Sequence, residues 1–367
     1  MKFKINTLTL SDKLGLIQGI SERRATMPIL SHVLIVAISD KIKLSATDLE
    51  TTMITLFDAE IKKEGGIALP ARKLYEILKE VPLGEIEIEE IGNHWAELRS
   101  KNTTFKIAGL PSEDFPILPE NHQDDLFPIE SAVIDDMIAK TIFAVSPDDM
   151  RRNISGIYFE KTGKQELRLV ATDGHRLSLV DKRIEGDVKI KRSVVVPRKG
   201  VTELRKLVKL VENIKIGIGK NDFVAEGNGI TLNVRLIDAE FPNYKQVIPE
   251  ATQKSVEVRR DDFLSALRRV SIISSERTKG VKISLDDGNM TLVSVSPELG
   301  EAREVVPIKY KEGDSIELGF NARYLIDVLE VISSELVQLG ISDELSPVII
   351  RPIGDEEYIS VIMPMRV

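Results

Sequence analysis

Asp173 and His175 stand two residues apart in the heptapeptide Ala171-Thr172-Asp173-Gly174-His175-Arg176-Leu177. A carboxylate and an imidazole at that spacing are the ingredients of a general acid–base pair, and a cleft around Asp173 and His175 would suit a metabolic enzyme. Nothing else in the sequence completes such a site. The four histidines, His32, His94, His122 and His175, lack metal-ligand spacing, and no Walker A loop, GxGxxG turn or GxSxG elbow occurs. The chain has no cysteine, which excludes a disulfide framework, a thiol nucleophile and a thiolate metal site. No cofactor or metal is expected, and an isolated Asp-Gly-His within a strand more often serves structure than catalysis.

The elements around the heptapeptide are more informative. Apolar runs, Leu167 to Val170 and Leu177 to Val180, flank it and predict a strand that bends at Gly174 and turns Thr172, His175 and Arg176 to a surface. A second copy, Ala46-Thr47-Asp48-Leu49-Glu50, lies 125 positions earlier, again after a strand-like run. Around it the chain reads as strand Phe3–Leu8, then a helix capped by Ser11 that carries Leu14, Ile17 and Ile20. Strands follow at Val33–Ala37, Lys41–Ala46, Thr51–Ile61 and Ile67–Leu69, then helix Ala71–Glu80, then strands Glu85–Glu90, Trp95–Ser100 and Thr104–Ala108. The plan recurs. Helices Ile134–Val145 and Phe263–Ile273 end at Ser146 and Ser274, equivalent to Ser21, and Pro70-Ala71-Arg72 is matched by Pro197-Arg198-Lys199 and Asn321-Ala322-Arg323. Repeats of this length are duplicated domains rather than solenoid units. With breaks at the proline-rich, acidic Pro116–Pro128 and near Pro249, the expectation is an α+β chain of three similar domains, 1–122, 128–248 and 249–367. Each has two helices and two small, mostly antiparallel sheets.

Length, 367 residues, suits two or three domains, and 42% hydrophobic with 29% charged residues is the balance of a soluble globular protein. The N-terminal Met1-Lys2-Phe3-Lys4 alternates as a strand does rather than as a signal peptide, and no apolar run approaches the ~20 residues of a membrane span. A cytoplasmic protein with no membrane partner is expected. The net charge of −8 is unevenly spread: helical windows 13–24, 71–80, 130–146, 198–209, 259–269 and 321–335 carry +2, +1, −2, +4, +2 and −2, which leaves −13 for the rest. Helices sharing an axis would present a moderately basic lining within an acidic shell, suited to phosphate contact without base readout. The apolar end Val361-Ile362-Met363-Pro364-Met365-Arg366-Val367 is a second unusual feature, because adaptable methionines near an exposed terminus suit a groove for varied partners.

Met1-Lys2-Phe3, Ala-Thr-Asp-Leu-Glu at 46–50, Ala-Thr-Asp-Gly-His-Arg-Leu at 171–177, Val-Pro-Arg-Lys-Gly at 196–200, Phe-Pro-Asn-Tyr at 241–244 and Met-Pro-Met-Arg at 363–366 together resemble the bacterial DNA polymerase III beta subunit, the sliding clamp. The resemblance spans the chain. It implies the DNA-clamp fold, with two subunits closed head-to-tail into a homodimeric ring, helices lining the hole and sheets forming the wall. It also implies a non-catalytic processivity factor that encircles duplex DNA and tethers the polymerase III alpha subunit, the clamp loader, and other polymerases and repair proteins through short peptides. The peptide pocket it implies comprises Ile154, Thr172, Gly174, His175, Arg176, Leu177, Pro242, Val247, Ser346, Val361, Ile362, Met363, Pro364, Met365 and Arg366. The implied DNA-facing residues are Arg24, Arg151, Arg152, Arg198 and Lys199. For head-to-tail closure the expectation pairs a basic edge, Arg99, Lys101 and Lys106 with Phe105, against acidic Glu298, Glu301 and Glu304, with Ile272 and Ile273 as an apolar plug. Three departures from the family pattern, Asn153, Lys245-Gln246 and Val367, bear on partner preference and on DNA contact by the loop.

Overall fold

Alternating burial makes strands and three-to-four-residue apolar spacing makes helices, and a computed structural model displays both. The structure describes residues 1–21, 27–119, 126–275, 278–310 and 315–366. Strand Trp95–Ser100 has the predicted bounds and buries Ala96, Leu98 and Ser100 in alternation. Among the described residues six α-helices occur: α1 (Thr7–Ile17), α2 (Ala71–Glu80), α3 (Ser131–Ala139), α4 (Arg198–Val208), α5 (Arg260–Val270) and α6 (Ala322–Val331). α2 also has its predicted bounds, starting after Pro70 and burying Ala71, Leu74, Ile77 and Leu78.

Other helix ends differ from the spacing, for local reasons. Asn6 rather than Ser11 caps α1, accepting from the Leu8 amide at 2.9 Å, so the first strand stops at Asn6. α3 ends six residues before Val145, where the Thr141 hydroxyl donates to Met137 O at 2.8 Å and a short 3-10 turn, Ile142–Ala144, takes over. α5 ends at Val270, and the chain reaches Ser274 through tight turns in which Ser274 Oγ donates to Ser271 O at 2.7 Å.

The chain packs as two compact units, Met1–Ala132 with Thr202–Leu236 and Val133–Val201 with Ile237–Val367. The middle third of the sequence therefore contributes to both. In the first unit a five-stranded sheet runs from Glu60–Lys63 through Lys2–Asn6, Glu85–Gly92 and Trp95–Ser100 to the edge strand Thr103–Ala108. Its nine-stranded sheet joins Thr51–Asp58 to Ile230–Arg235. In the second unit a twelve-stranded sheet joins Arg176–Arg183 to Tyr358–Ile362. These two junctions make continuous sheets of the small ones the repeat suggests, because each gives a partner to an edge that would otherwise hold unpaired amides and carbonyls. α1 packs on α2 within the first unit, and α5 on α6 within the second. Among the described residues no helix is long and apolar enough to cross a membrane.

Candidate functional site

The heptapeptide is a tight turn between two strands, Glu166–Thr172 and Arg176–Arg183, rather than a bend within one. Gly174 sits at φ +90°, a conformation L side chains rarely adopt, and a Cβ there would lie 2.8 Å from Arg151 Nη2. Thr172 Oγ1 accepts from the Gly174 amide at 3.1 Å and donates to Arg176 O at 2.7 Å. Asp173 Oδ1 accepts from the amides of His175 (2.9 Å) and Arg176 (3.1 Å), and Oδ2 from Arg176 Nε (3.0 Å). Thr172 and Asp173 are thus buried by the turn they close, while His175 is exposed and its ring stacks on Tyr324 with centroids 6.4 Å apart. The carboxylate has three donors within the turn and is spent on holding its shape. The Asp173–His175 acid–base reading fails on that geometry, and no group of residues suited to a metal occurs among those described.

Three further segments meet this turn. Strand Tyr358–Ile362 runs antiparallel to Arg176–Val180 and places Val361 opposite Leu177, after which the Met363 amide donates to His175 O at 2.9 Å. The 3-10 turn Arg152–Ile154 supplies Ile154, which is buried. The segment Phe241–Val247 forms the opposing wall. Phe241 stacks on Tyr158 with centroids 4.7 Å apart and planes 9° from parallel. The Tyr244 hydroxyl accepts from Arg168 Nη1 at 3.0 Å and donates to Glu160, while Arg168 grips both oxygens of Asp181 at 2.7 Å. Burial, and next the bond to Glu160, push the Tyr244 hydroxyl up to about 12, so it stays a neutral donor at physiological pH. This network fixes the short helix Tyr244–Val247 and with it Pro242 and Val247.

Together these segments form a cleft of about 240 Å³, partly open to solvent. Ten of the residues the resemblance implies line it: Ile154, Thr172, Gly174, His175, Arg176, Leu177, Pro242, Val247, Val361 and Met363. The other five do not. Ile362 is wholly buried, as strand alternation turns it away from Val361. Met365 donates its amide to Gly319 O at 2.8 Å, Pro364 lies between the two tail hydrogen bonds, and Arg366 is exposed. Ser346 is held in its own turn, its hydroxyl donating to Asp343 at 2.6 Å. The cleft also takes in Arg151, Asn153, Asn243 and Tyr244, which the pocket set does not include. Arg151, expected to face DNA, donates to Asp173 O at 2.8 Å and so braces the cleft's turn. For Asn243 and Tyr244 the signal was the Phe-Pro-Asn-Tyr motif, whose aromatic residues carry the wall.

The other expected residues stand elsewhere. Arg152 is exposed beside Ile154, and Arg198 and Lys199 open α4, with the Arg198 amide donating to Ser155 O at 3.2 Å. Arg24, His122 and Val367 lie outside the described residues. Arg99 is paired on its own sheet with Glu87, Glu89 and Glu97, and Lys106 lies 3.9 Å from Glu97, so two of the three expected basic residues have acidic partners on their own sheet. Phe105, partly buried, lies on the edge strand of the five-stranded sheet, and Lys101 occupies the tight turn before it at φ +49°. Glu304 is gripped by Arg269, which holds its carboxyl below the usual range, whereas Glu298 and Glu301 are exposed. Ile272 is 74% exposed, Ile273 partly so, and Val295, Leu299 and Val305 are further exposed apolar residues of the same unit.

Comparison with known proteins matches three consecutive family profiles to this chain. They are the N-terminal, central and C-terminal domains of the DNA polymerase III beta subunit, at residues 1–119, 128–243 and 245–366. Over the full length of both chains, it is 33% identical to the beta sliding clamp of Pseudomonas putida and 35% identical to that of Proteus mirabilis. A solved sliding clamp from Bartonella birtlesii, bound to griselimycin, superposes with a TM-score of 0.96 at 34% identity, again covering both chains completely. The Caulobacter crescentus sliding clamp does so with a TM-score of 0.94 at 34% identity and the same coverage.

Proposed function

The chain belongs to the DNA polymerase III beta-subunit family, the sliding clamps, and we propose that it is a processivity factor that encircles duplex DNA and tethers replication proteins through the cleft at Thr172–Leu177. It is a three-domain α+β clamp and not an enzyme. The domain bounds we assign are 1–122, 128–248 and 249–367, supported by the repeat of helices and turns. The observation that carries the tether is the cleft itself. Four segments far apart in sequence converge on a surface of Ile154, Leu177, Pro242, Val247, Val361 and Met363. Such a surface suits a short peptide with Leu or Phe anchors. A few hundred Å² of apolar contact at ~25 cal/mol per Å², less ordering costs, gives binding on the micromolar scale. The polymerase III alpha subunit, the clamp loader, and other polymerases and repair proteins carrying such a peptide are the partners this chemistry fits, in the cytoplasm.

For the ring, two copies are read as joining head-to-tail. The first domain offers the strand Thr103–Ala108, and the third offers the region of Ile272, Ile273, Glu298, Glu301 and Glu304. Apolar contact is the main adhesive in this reading, since Arg99, Lys106 and Glu304 already have partners on their own chains. Arg24, Arg152, Arg198 and Lys199 are read as contacting phosphates without base selection, and Arg151 is assigned to the cleft. Retention on circular DNA tests the whole reading. The protein should stay with a nicked circular duplex through sedimentation in high salt and be lost once the circle is linearised. Equal retention on both forms would show that binding is not topological and would overturn the ring.

A further inference from the structure

Arg176 lines the cleft, yet its guanidinium is turned into the protein. Nε donates to Asp173 at 3.0 Å, Nη1 to Asp327 Oδ2 at 2.7 Å and Nη2 to Phe143 O at 2.5 Å. The guanidinium carbon lies 4.4 Å from the ring centroid of Tyr324 and 5.2 Å from that of Phe143. Asp327 and Tyr324 belong to α6, and the other Asp327 oxygen accepts from Arg323 Nε at 2.7 Å. The side chains of Asp173, Arg176 and Asp327 are only 9, 9 and 8% exposed. Two carboxylates and two guanidiniums make a neutral cluster, three of whose members are buried. Such a cluster adds little net stability over an apolar replacement, since desolvation offsets the attraction. What it does provide is fixed position.

That position propagates into the cleft. The Arg176 carbonyl takes the Thr172 hydroxyl, and the His175 carbonyl takes the Met363 amide at 2.9 Å, so the turn sets both the Thr172–Leu177 wall and Met363. Asp327 does not line the cleft. We propose that Asp327 is a positioning residue of the cleft: by anchoring Arg176 to α6 it fixes the Asp173–Arg176 turn and Met363, and so sets peptide affinity without touching the peptide. This rests on reading the cleft as a peptide site.

The test is fluorescence anisotropy with a fluorescein-labelled pentapeptide ending in Leu-Phe, on full-length protein. Asp327→Asn should weaken binding about tenfold, and Asp327→Glu, which keeps the charge but shifts its reach, about threefold. Truncation after Ile362, which removes Met363, should also cost about tenfold. In the Asp327→Asn chain the same truncation should cost threefold or less, because Met363 is already misplaced. A merely structural residue would not produce that non-additivity. Asp327→Asn and Asp327→Glu chains that melt like the unsubstituted protein and bind the peptide equally well would overturn the proposal. So would losses that multiply to a hundredfold in the combined variant. Should Asp327→Asn not fold, Asp327→Glu decides alone, with unchanged affinity counting against the proposal. If the unsubstituted chain itself fails to bind the peptide, the cleft reading falls and takes this one with it, an outcome visible without any variant.

Discussion

Truncation after Ile362 isolates the cleft from the fold. The tail it removes is held by two described backbone hydrogen bonds, Met363 N to His175 O at 2.9 Å and Met365 N to Gly319 O at 2.8 Å. At about 1 kcal/mol net for each, plus the partial burial of Met363, the loss is about 2–3 kcal/mol. Strand Tyr358–Ile362 keeps its pairing on both sides and stays buried, so the unit should remain folded. Peptide binding is affected more specifically. Met363 is 39% exposed and faces the cleft, and a ligand covering roughly 60 Å² of it gains about 1.5 kcal/mol at 25 cal/mol per Å². The truncated protein should therefore bind a labelled Leu-Phe peptide about tenfold more weakly in fluorescence anisotropy. Its dimerisation and retention on circular DNA should be unchanged. A superimposable anisotropy curve would refute the assignment of Met363 to the binding surface.

The remaining predictions concern assembly, DNA and acid. Ile272→Ala with Ile273→Ala should yield monomers at micromolar concentration by light scattering, whereas 0.5 M salt alone should leave the dimer intact; a double variant that remains dimeric would exclude this contact. Replacing Arg24, Arg198 and Lys199 with Ala should reduce the dependence of duplex binding on salt by roughly one logarithmic unit per lost phosphate contact, with no change in sequence preference. An unaltered slope would show that these residues do not meet phosphates. Glu87 hydrogen-bonds Lys62 and then Lys2, which hold its carboxyl down to about 2 from an ordinary 4.5. A depressed acid stabilises the fold above its unfolded value, so this contribution should be complete above pH 4.5 and lost as pH falls towards 2. Its lysine partners are partly exposed, which limits the effect to about 1 kcal/mol. Urea midpoints at pH 6 and pH 3 should differ less for Glu87→Gln than for the native chain, and equal differences would remove Glu87 as the cause.

How much of this was legible in the sequence depends on the range of the forces involved. Ala71–Glu80 and Trp95–Ser100 were readable to the residue because one local periodicity, bounded by Pro70 or by turn residues, decides them. Helix ends were less readable, since Asn6 and Thr141 win by single side-chain hydrogen bonds that no periodicity encodes. The cleft is harder still. Residues 151–154, 172–177, 241–247 and 361–363 converge only through the register that sets Leu177 beside Val361 and through the Tyr244 hydroxyl between Arg168 and Glu160. Family resemblance supplied most of the lining. It did not supply the inward turn of Arg176 or the bracing role of Arg151, because both are set by partners distant in sequence.

The repeat explains why the cleft arose where it did. The first copy of the turn makes the same three side-chain bonds to backbone amides as the second. Thr47 Oγ1 accepts from Leu49 N at 3.1 Å, and Asp48 Oδ1 accepts from Glu50 N at 2.9 Å and Thr51 N at 2.5 Å. Leu49 takes the left-handed position at φ +75° that Gly174 takes at +90°. The following strands are paired alike, Thr51–Thr55 with Ile230–Val234 and Arg176–Val180 with Tyr358–Ile362. The scaffold is thus common to both copies, and of the four positions at which the two heptapeptides differ, two set the cleft apart. Where Leu49 carries a side chain, 53% exposed, Gly174 leaves the space that the Arg151 guanidinium fills. Where Thr51 is short and buried, Arg176 reaches Asp327 and ties the turn to α6. A Thr-Asp turn by itself only closes a hairpin. Glycine at its third position and arginine at its fifth convert that hairpin into a braced cleft wall, and both changes fall in the copy that carries His175.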